Sequence, residues 1–246
     1  MTDQPLAVIT GASSGIGAAT AHHLHDAGFD LVLGARRVDR LAEVAEPLGA
    51  RAMALDVTDA DSVTAFCDAV GRCNVLVNNA GGALGLGPVE QFDPGQWQTM
   101  YDTNVLGVAR VTKALLSKLE TSGDGHIVVV GSVAGLQAYP GGAGYNAAKF
   151  GVNAVTQVLR MELLGRPIRV TEVDPGMVET EFSLVRFDGD DARAEAVYDG
   201  LTPLSADDVA DCIRWAVTRP SHVNINRIEV LPRDQAHATM THRHPT

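Results

Sequence analysis

A single α/β domain built on a doubly wound, mostly parallel sheet is the fold this sequence predicts, and three observations predict it. Short apolar runs recur at 6–10, 29–35, 51–56, 74–78, 126–131 and 168–173, each followed by a stretch with helical spacing. The first run passes directly into GASSGIG, a glycine-rich turn between a strand and a helix. No repeat of fixed period and no linker divides the 246 residues. Alternating strands and helices at this spacing give parallel strands, right-handed crossovers and helices on both faces. With HVNINRIEVLP as the last strand, seven strands are expected.

Taken in order, strand 6–10 (LAVIT) leads to Gly11, Gly15 and Gly17 in a G-x-x-x-G-x-G spacing. Such glycines allow a tight turn and a close backbone approach to a pyrophosphate at a helix N-terminus, the arrangement of Rossmann-type folds. The helix from 16 to about 27 ends at Gly28, and the second strand ends near Ala35. Folds of this type that take NAD place a carboxylate near that point, on the ribose 2′-hydroxyl. Here the text reads Ala35-Arg36-Arg37, with no acid until Asp39. A planar, permanently charged guanidinium suits a 2′-phosphate, so NADP is expected over NAD, the alternative being a solvated Arg pair.

Helix 38–47, strand 51–56, helix 60–70 and strand 74–78 follow. Asp56 ends its strand within reach of an adenine, and Asp59 reads as a helix cap. Asn78-Asn79-Ala80-Gly81 falls at the carboxyl edge of the sheet, where amides can stitch strands together and line a crevice; Asn78 reads as structural more than catalytic. The glycine-rich stretch 82–93 borders the expected pocket. A long helix, 94–119, carries Asn104, whose amide needs partners that a local bend or a held water would supply.

Strand 126–131 delivers Ser132, and the run after it carries Tyr145 and Lys149 at i and i+4, on one helix face. A free tyrosine has a pKa of about 10, and a neighbouring cation lowers it toward a usable acid or base. Ser132 can donate a hydrogen bond to the oxygen that Tyr145 protonates. Strand 168–173 ends in Asp174-Pro175-Gly176, a sharp turn. Residues 177–202 turn polar and irregular, a substrate lid with a short helix near 191–199. Arg186, with Phe182 and Phe187 beside it, is the lid residue suited to a substrate carboxylate; the alternative is a surface pair with Asp188, Asp190 or Asp191. Helix 205–218 and the last strand complete a domain spanning 1–236. The polar tail 237–246 is expected to fray, its His237, His242 and His244 included, and no metal is expected.

Composition bounds the rest. A charge of −11 excludes a general nucleic-acid surface. No apolar run approaches the roughly 20 residues of a membrane span, and MTDQPLAVITG shows no secretory leader. Cys67, Cys73 and Cys212 lack metal-ligand spacing and read as reduced thiols, so a soluble cytoplasmic protein is expected.

The ordered set Thr10-Gly11, Gly15-Ile16-Gly17, Asn78-Asn79-Ala80-Gly81, Asn104, Ser132, Tyr145-x-x-x-Lys149 and Pro175-Gly176 resembles the short-chain dehydrogenase/reductases over almost the whole chain. The resemblance implies Tyr145 as general acid/base and Ser132 as the group polarising the substrate oxygen. It implies that Lys149 holds the nicotinamide ribose and lowers the Tyr145 pKa, and that Asn104 holds a water in a proton relay. It implies cofactor contacts from Gly11, Ser13, Ser14, Gly15, Ile16, Gly17, Arg36, Arg37, Asp56, Val57, Asn78, Ala80, Gly81, Pro175, Gly176, Val178 and Thr180, besides Tyr145 and Lys149. A homotetramer, or a dimer, is implied through helices 94–119 and 145–165. The C-terminal third is similar to the NADP-dependent 3-hydroxy acid dehydrogenase/malonic semialdehyde reductase subgroup. That implies reversible hydride transfer between NADP(H) and a 3-hydroxy acid/semialdehyde pair. The alternatives are a bulkier carbonyl of secondary metabolism and a non-catalytic NADP(H)-sensing regulator.

Overall fold

The strands β1 (Leu6–Thr10), β2 (Asp30–Ala35), β3 (Arg51–Ala54), β4 (Val75–Asn78), β5 (Gly125–Val130), β6 (Ile168–Pro175) and β7 (Arg227–Val230) pair in one sheet. Their order is 3-2-1-4-5-6-7 and every neighbour is parallel. The computed structural model describes residues 4–245; residues 1–3, within the N-terminal stretch read for a secretory leader, and Thr246 of the tail lie outside the described residues. Every residue of β1, β4, β5 and β6 is buried, because helices cover both faces of the sheet. On one face α1 (Gly15–Asp26), α2 (Val38–Ala45) and α9 (Ala206–Val217) place Leu24, Leu41 and Ile213 against Ala7 and Ile9. On the other, α3 (Ala60–Ala69), α4 (Pro94–Tyr101), α5 (Gly107–Thr121) and α6 (Ala143–Glu162) place Phe66, Met100, Leu115 and Val152 against Val8 and Leu76. The period-2 alternation of β1 thus feeds two cores. Strand order reverses between β1 and β4, and the carboxyl ends of those two strands open the crevice where open α/β sheets bind ligands.

Four expected elements change. Helix 94–119 is broken: a π-helical turn, Asp102–Leu106, separates α4 from α5. Its cause is Asn104, whose amide donates to the Met100 carbonyl at 2.7 Å within the turn. Strand 51–56 stops at Ala54, since Asp56 turns back to accept from Thr58 N–H and Oγ1 at 2.9 and 2.7 Å. Strand 168–173 runs on to Pro175 because β7 pairs with it to that residue. The lid holds two short helices, α7 (Phe182–Arg186) and α8 (Asp191–Ala196).

The tail is the plainest correction. It is folded onto the domain, with β8 (Gln235–His237) and β9 (Met240–Thr241) forming an antiparallel pair. Polar composition hides this because backbone groups hold it: Ala238 N–H donates to Gln137 Oε1 at 2.7 Å and His244 N–H to the Gly200 carbonyl at 2.7 Å. Arg243 adds bonds to the Val197 and Asp199 carbonyls, so the tail grips the far end of the lid.

Candidate active site

One cavity of about 680 Å³ runs along the carboxyl edge of the sheet, from Arg36 and Asp56 past Gly11–Ile16 to Ser132, Tyr145 and Lys149. Its floor includes Gly11, and Gly17 packs behind it, off the cavity wall. Gly11 has φ +66°, and a Cβ there would lie 2.8 Å from the Ala80 backbone. A Cβ on Gly17 would lie 2.5 Å from the Gly11 carbonyl, so α1 approaches the loop as closely as backbones can. Asn79 closes the seam: its amide donates to the Thr10 and Gly11 carbonyls at 3.0 and 3.1 Å.

At the adenosine end the two arginines divide. Arg36 is exposed on the cavity wall and makes no ion pair among the described residues. Arg37 is engaged, with Ser14 Oγ at 2.6 Å and Glu181 of the lid at 2.8 Å, where Arg40 also pairs at 2.5 Å. Burial raises the Asp56 pKa, yet the Thr58 bonds and Arg36 outweigh it and hold the carboxyl below its ordinary value. An open guanidinium beside a glycine cradle, with no carboxylate at the end of β2, fits a dinucleotide bearing a 2′-phosphate.

Ser13, Ser14, Gly15, Ile16, Val57, Ala80, Gly81, Pro175, Gly176, Val178 and Thr180 also line the cavity. Asn78 does not. It ends β4 facing α5, buried, and donates to Thr112 Oγ1 at 3.0 Å, so it is a core residue and its neighbour Asn79 is the crevice amide.

At the other end, β5 presents Ser132 and the first turns of α6 present Tyr145 and Lys149, both buried. Burial pushes the Tyr145 phenol well above its ordinary pKa; the Ser132 hydroxyl and then Arg186 pull the other way. Lys149 stands one helical turn further along α6. Its Nζ donates to the Val130 carbonyl at 3.0 Å and lies 5.8 Å from the Tyr145 ring centre. Burial brings Lys149 itself down to about 8. Held well above its ordinary pKa, the phenol keeps its proton in the chain alone. Asn104 accepts from Gly82 N–H at 3.2 Å and donates to the Gly82 carbonyl at 2.9 Å, so its amide pins the start of the 82–93 loop.

Arg186 reaches this centre from α7. Nε donates to the Gly85 carbonyl at 3.0 Å and Nη1 to the Tyr139 hydroxyl at 3.3 Å, while Nη2 is buried without a hydrogen-bond partner. Its guanidinium carbon is 5.8 Å from the Tyr145 ring centre, and it pairs with none of Asp188, Asp190 and Asp191. Phe182 packs on Tyr145 with ring centres 5.5 Å apart; Phe187 instead stacks on Arg193. A smaller cavity of about 160 Å³, between loop 82–93 and α6, shares Tyr145 and Arg186 as its wall. Asn79, one of the two amides expected at the crevice, is on the cavity wall; Tyr139, Tyr198, Gln235, Ala238 and Thr239 are there too and were not singled out by sequence reasoning. The wall contacts of Gln235 and of the tail residues Ala238 and Thr239 had no signal. Among the described residues no group of three or more His, Cys, Asp and Glu could hold a metal, and no helix is long and apolar enough to cross a membrane.

A short chain dehydrogenase family profile matches residues 5–189. An uncharacterised oxidoreductase of Mycobacterium tuberculosis is 56% identical, covering 99% of this chain and 97% of the relative. Sulfoacetaldehyde reductase 2 of Chromohalobacter salexigens is 47% identical, covering 94% and 95%. Among solved structures, the closed form of a serine dehydrogenase complexed with NADP+ superposes with a TM-score of 0.92 at 36% identity, covering 98% of this chain and 100% of that one.

Proposed function

The chain belongs to the short-chain dehydrogenase/reductase family, an NADP-dependent oxidoreductase acting on CH–OH groups, and we propose that it interconverts a small 3-hydroxy acid and its semialdehyde. The observation that carries the substrate class is the buried, unpartnered Nη2 of Arg186 beside Tyr145. A buried donor with a full charge and no acceptor is costly, and a substrate carboxylate would satisfy it with a charge-assisted hydrogen bond. When bound, the nicotinamide cofactor supplies the hydride chemistry. In reduction, the Tyr145 phenol gives its proton to the substrate oxygen while the Ser132 hydroxyl donates a hydrogen bond to it. Lys149 holds the cofactor ribose, Arg36 takes the 2′-phosphate and makes NADP preferred over NAD, and Arg186 aligns the substrate through its anion. The complete Ser132/Tyr145/Lys149 set argues against a non-catalytic sensor.

A two-carbon sulfonate aldehyde presents an anion at similar distance from its carbonyl and is the second reading, favoured by the sulfoacetaldehyde reductase likeness. Exposed Tyr101, Leu106, Phe150, Val158, Met161 and Leu164 on α4, the π turn, α6 and the turn after it support a homo-oligomer, which light scattering would size. The substrate reading is tested by NADPH oxidation with a semialdehyde, sulfoacetaldehyde and a neutral aldehyde of equal length. Arg186→Met is expected to lower kcat/KM for the anionic aldehydes by about ten- to a hundred-fold, a charged hydrogen bond being worth roughly 1.5–3 kcal/mol. The neutral aldehyde should change little. Equal losses on all three would remove the acid-substrate reading.

A further inference from the structure

Behind Ser132 and Lys149 lies a buried charge cluster that the chemistry above leaves without a role. Asp174 and Glu172 sit on β6, 1% and 2% exposed. Asp174 Oδ1 accepts from the Ser132 backbone N–H at 2.9 Å. Both carboxylates press on residue 131: a Cβ there would lie 2.0 Å from Asp174 Oδ1 and 3.0 Å from Glu172 Oε1, so only glycine leaves room. Residue 131 stands between Ser132 and Val130, whose carbonyl receives the Lys149 ammonium at 3.0 Å. The carboxylates therefore reach the strand end where both catalytic side chains are anchored.

Charge balance then singles out Lys149. From β7, Arg227 faces the pair, Nη2 at 2.8 Å from Glu172 and Nε at 3.1 Å from Asp174. One guanidinium meets two buried carboxylates, and Glu229 of β7 adds further negative charge beside it. Glu172 Oε1 has no hydrogen-bond partner, and Asp174 Oδ2 has only the Arg227 ion pair. On the α6 side, Lys149 meets the same strand end through the Val130 carbonyl, and Asp174 and Glu172 both favour its charged form. A buried ion left unbalanced is expensive, which favours a second cation or a proton on one carboxyl; Lys149, anchored on the adjoining Val130 carbonyl, is the cation at this strand end.

We propose that Asp174, backed by Glu172, is a positioning residue of this active site: it fixes the Ser132 backbone and is the buried counter-charge that keeps Lys149 an ammonium ion. The directions agree. Burial pulls Lys149 down to about 8, and Asp174 first, then Glu172, oppose it. Burial and then Glu172 push Asp174 up to about 7, against the Ser132 N–H bond, Arg227 and Lys149. The same anion opposes ionisation of Tyr145 and helps keep its proton in place.

The proposal rests on the dehydrogenase reading for the contact between Lys149 and the cofactor, and its test reads binding without turnover. NADPH affinity is followed by cofactor fluorescence from pH 6 to 10, with melting temperature confirming each variant is folded. In the unaltered protein, affinity should fall on the alkaline side as Lys149 loses its proton. Removing an anion beside Lys149 lowers its pKa, so in Asp174→Asn the fall should begin about one pH unit lower. Glu172→Gln, which leaves the Ser132 contact intact, should move it the same way by less, and it carries the test if Asp174→Asn does not fold. An alkaline fall that disappears in Lys149→Met, yet stays in place in both acid variants, overturns the counter-charge role alone. A fall that persists in Lys149→Met overturns the placement of Lys149 on the cofactor, and with it the reading beneath this proposal.

Discussion

Asn104→Ala tests whether the π turn is the hinge post of the substrate loop. The substitution deletes three hydrogen bonds, to the Met100 carbonyl (2.7 Å), to the Gly82 carbonyl (2.9 Å) and from Gly82 N–H (3.2 Å). The Met100 carbonyl is interior and would lose a partner that water cannot replace, at about 1–3 kcal/mol. Gly82 is half-buried and its two groups can recover some hydration, so each of those bonds counts for about 0.5–1 kcal/mol. The sum is about 3 kcal/mol, a large share of the 5–15 kcal/mol that holds a typical domain. Urea unfolding at fixed protomer concentration should show the midpoint falling by about 1 M for a slope near 3 kcal/mol/M, with the slope unchanged. Because Gly82 opens the loop whose Gly85 clasps Arg186, KM for an anionic aldehyde should rise more than the NADPH Kd. A stability loss below about 1 kcal/mol would show that solvent or the Met100 carbonyl itself compensates, and would refute the reasoning.

Three other perturbations follow from the same geometry. Ala35→Asp with Arg36→Ala should weaken NADPH and improve NADH, moving the preference by about ten- to a hundred-fold; equal efficiencies with both cofactors in the unaltered protein would refute the role of Arg36. His126, fully buried and bonded to Thr171 Oγ1 at 2.8 Å, is brought from 6.5 down to about 3 by burial and then by Arg169. The unfolded chain therefore binds this proton first, and stability should fall as pH drops from 6.5 toward 3. In His126→Asn the acid-side slope over that window should be shallower; identical slopes would show that other groups govern it. Arg186→Met should separate anionic from neutral aldehydes as described above, and uniform losses would show that it only holds the lid.

The strands, the glycine cradle and the catalytic pair were legible because local patterns encode them: apolar runs, a G-x-x-x-G-x-G turn and an i, i+4 spacing. What escaped depends on partners far along the chain. Asn78 and Asn79 are adjacent and chemically identical, and only strand alternation decides that one faces Thr112 and the other Gly11. Burial holds the Tyr145 pKa above its ordinary value, and nothing in the local text around an i, i+4 pair carries that burial. The tail reads as frayed because its bonds run to Gln137, Gly200 and Asp234, and composition carries no trace of them. Asp174 read as a turn residue, and its carboxylate under Gly131 shows only when β5 and β6 are side by side.

The account turns on Tyr145 as the proton donor, and Tyr145→Phe measures it most directly. The change removes one oxygen from a buried ring that still packs on Phe182, so the fold and the cofactor cleft should survive. NADPH fluorescence titration should give a Kd within a few-fold of the unaltered protein. Steady-state NADPH oxidation with the preferred aldehyde should fall by about 10²–10⁴-fold in kcat, the usual worth of a general acid. A variant that binds NADPH normally and keeps more than half of kcat would contradict the assignment of Tyr145.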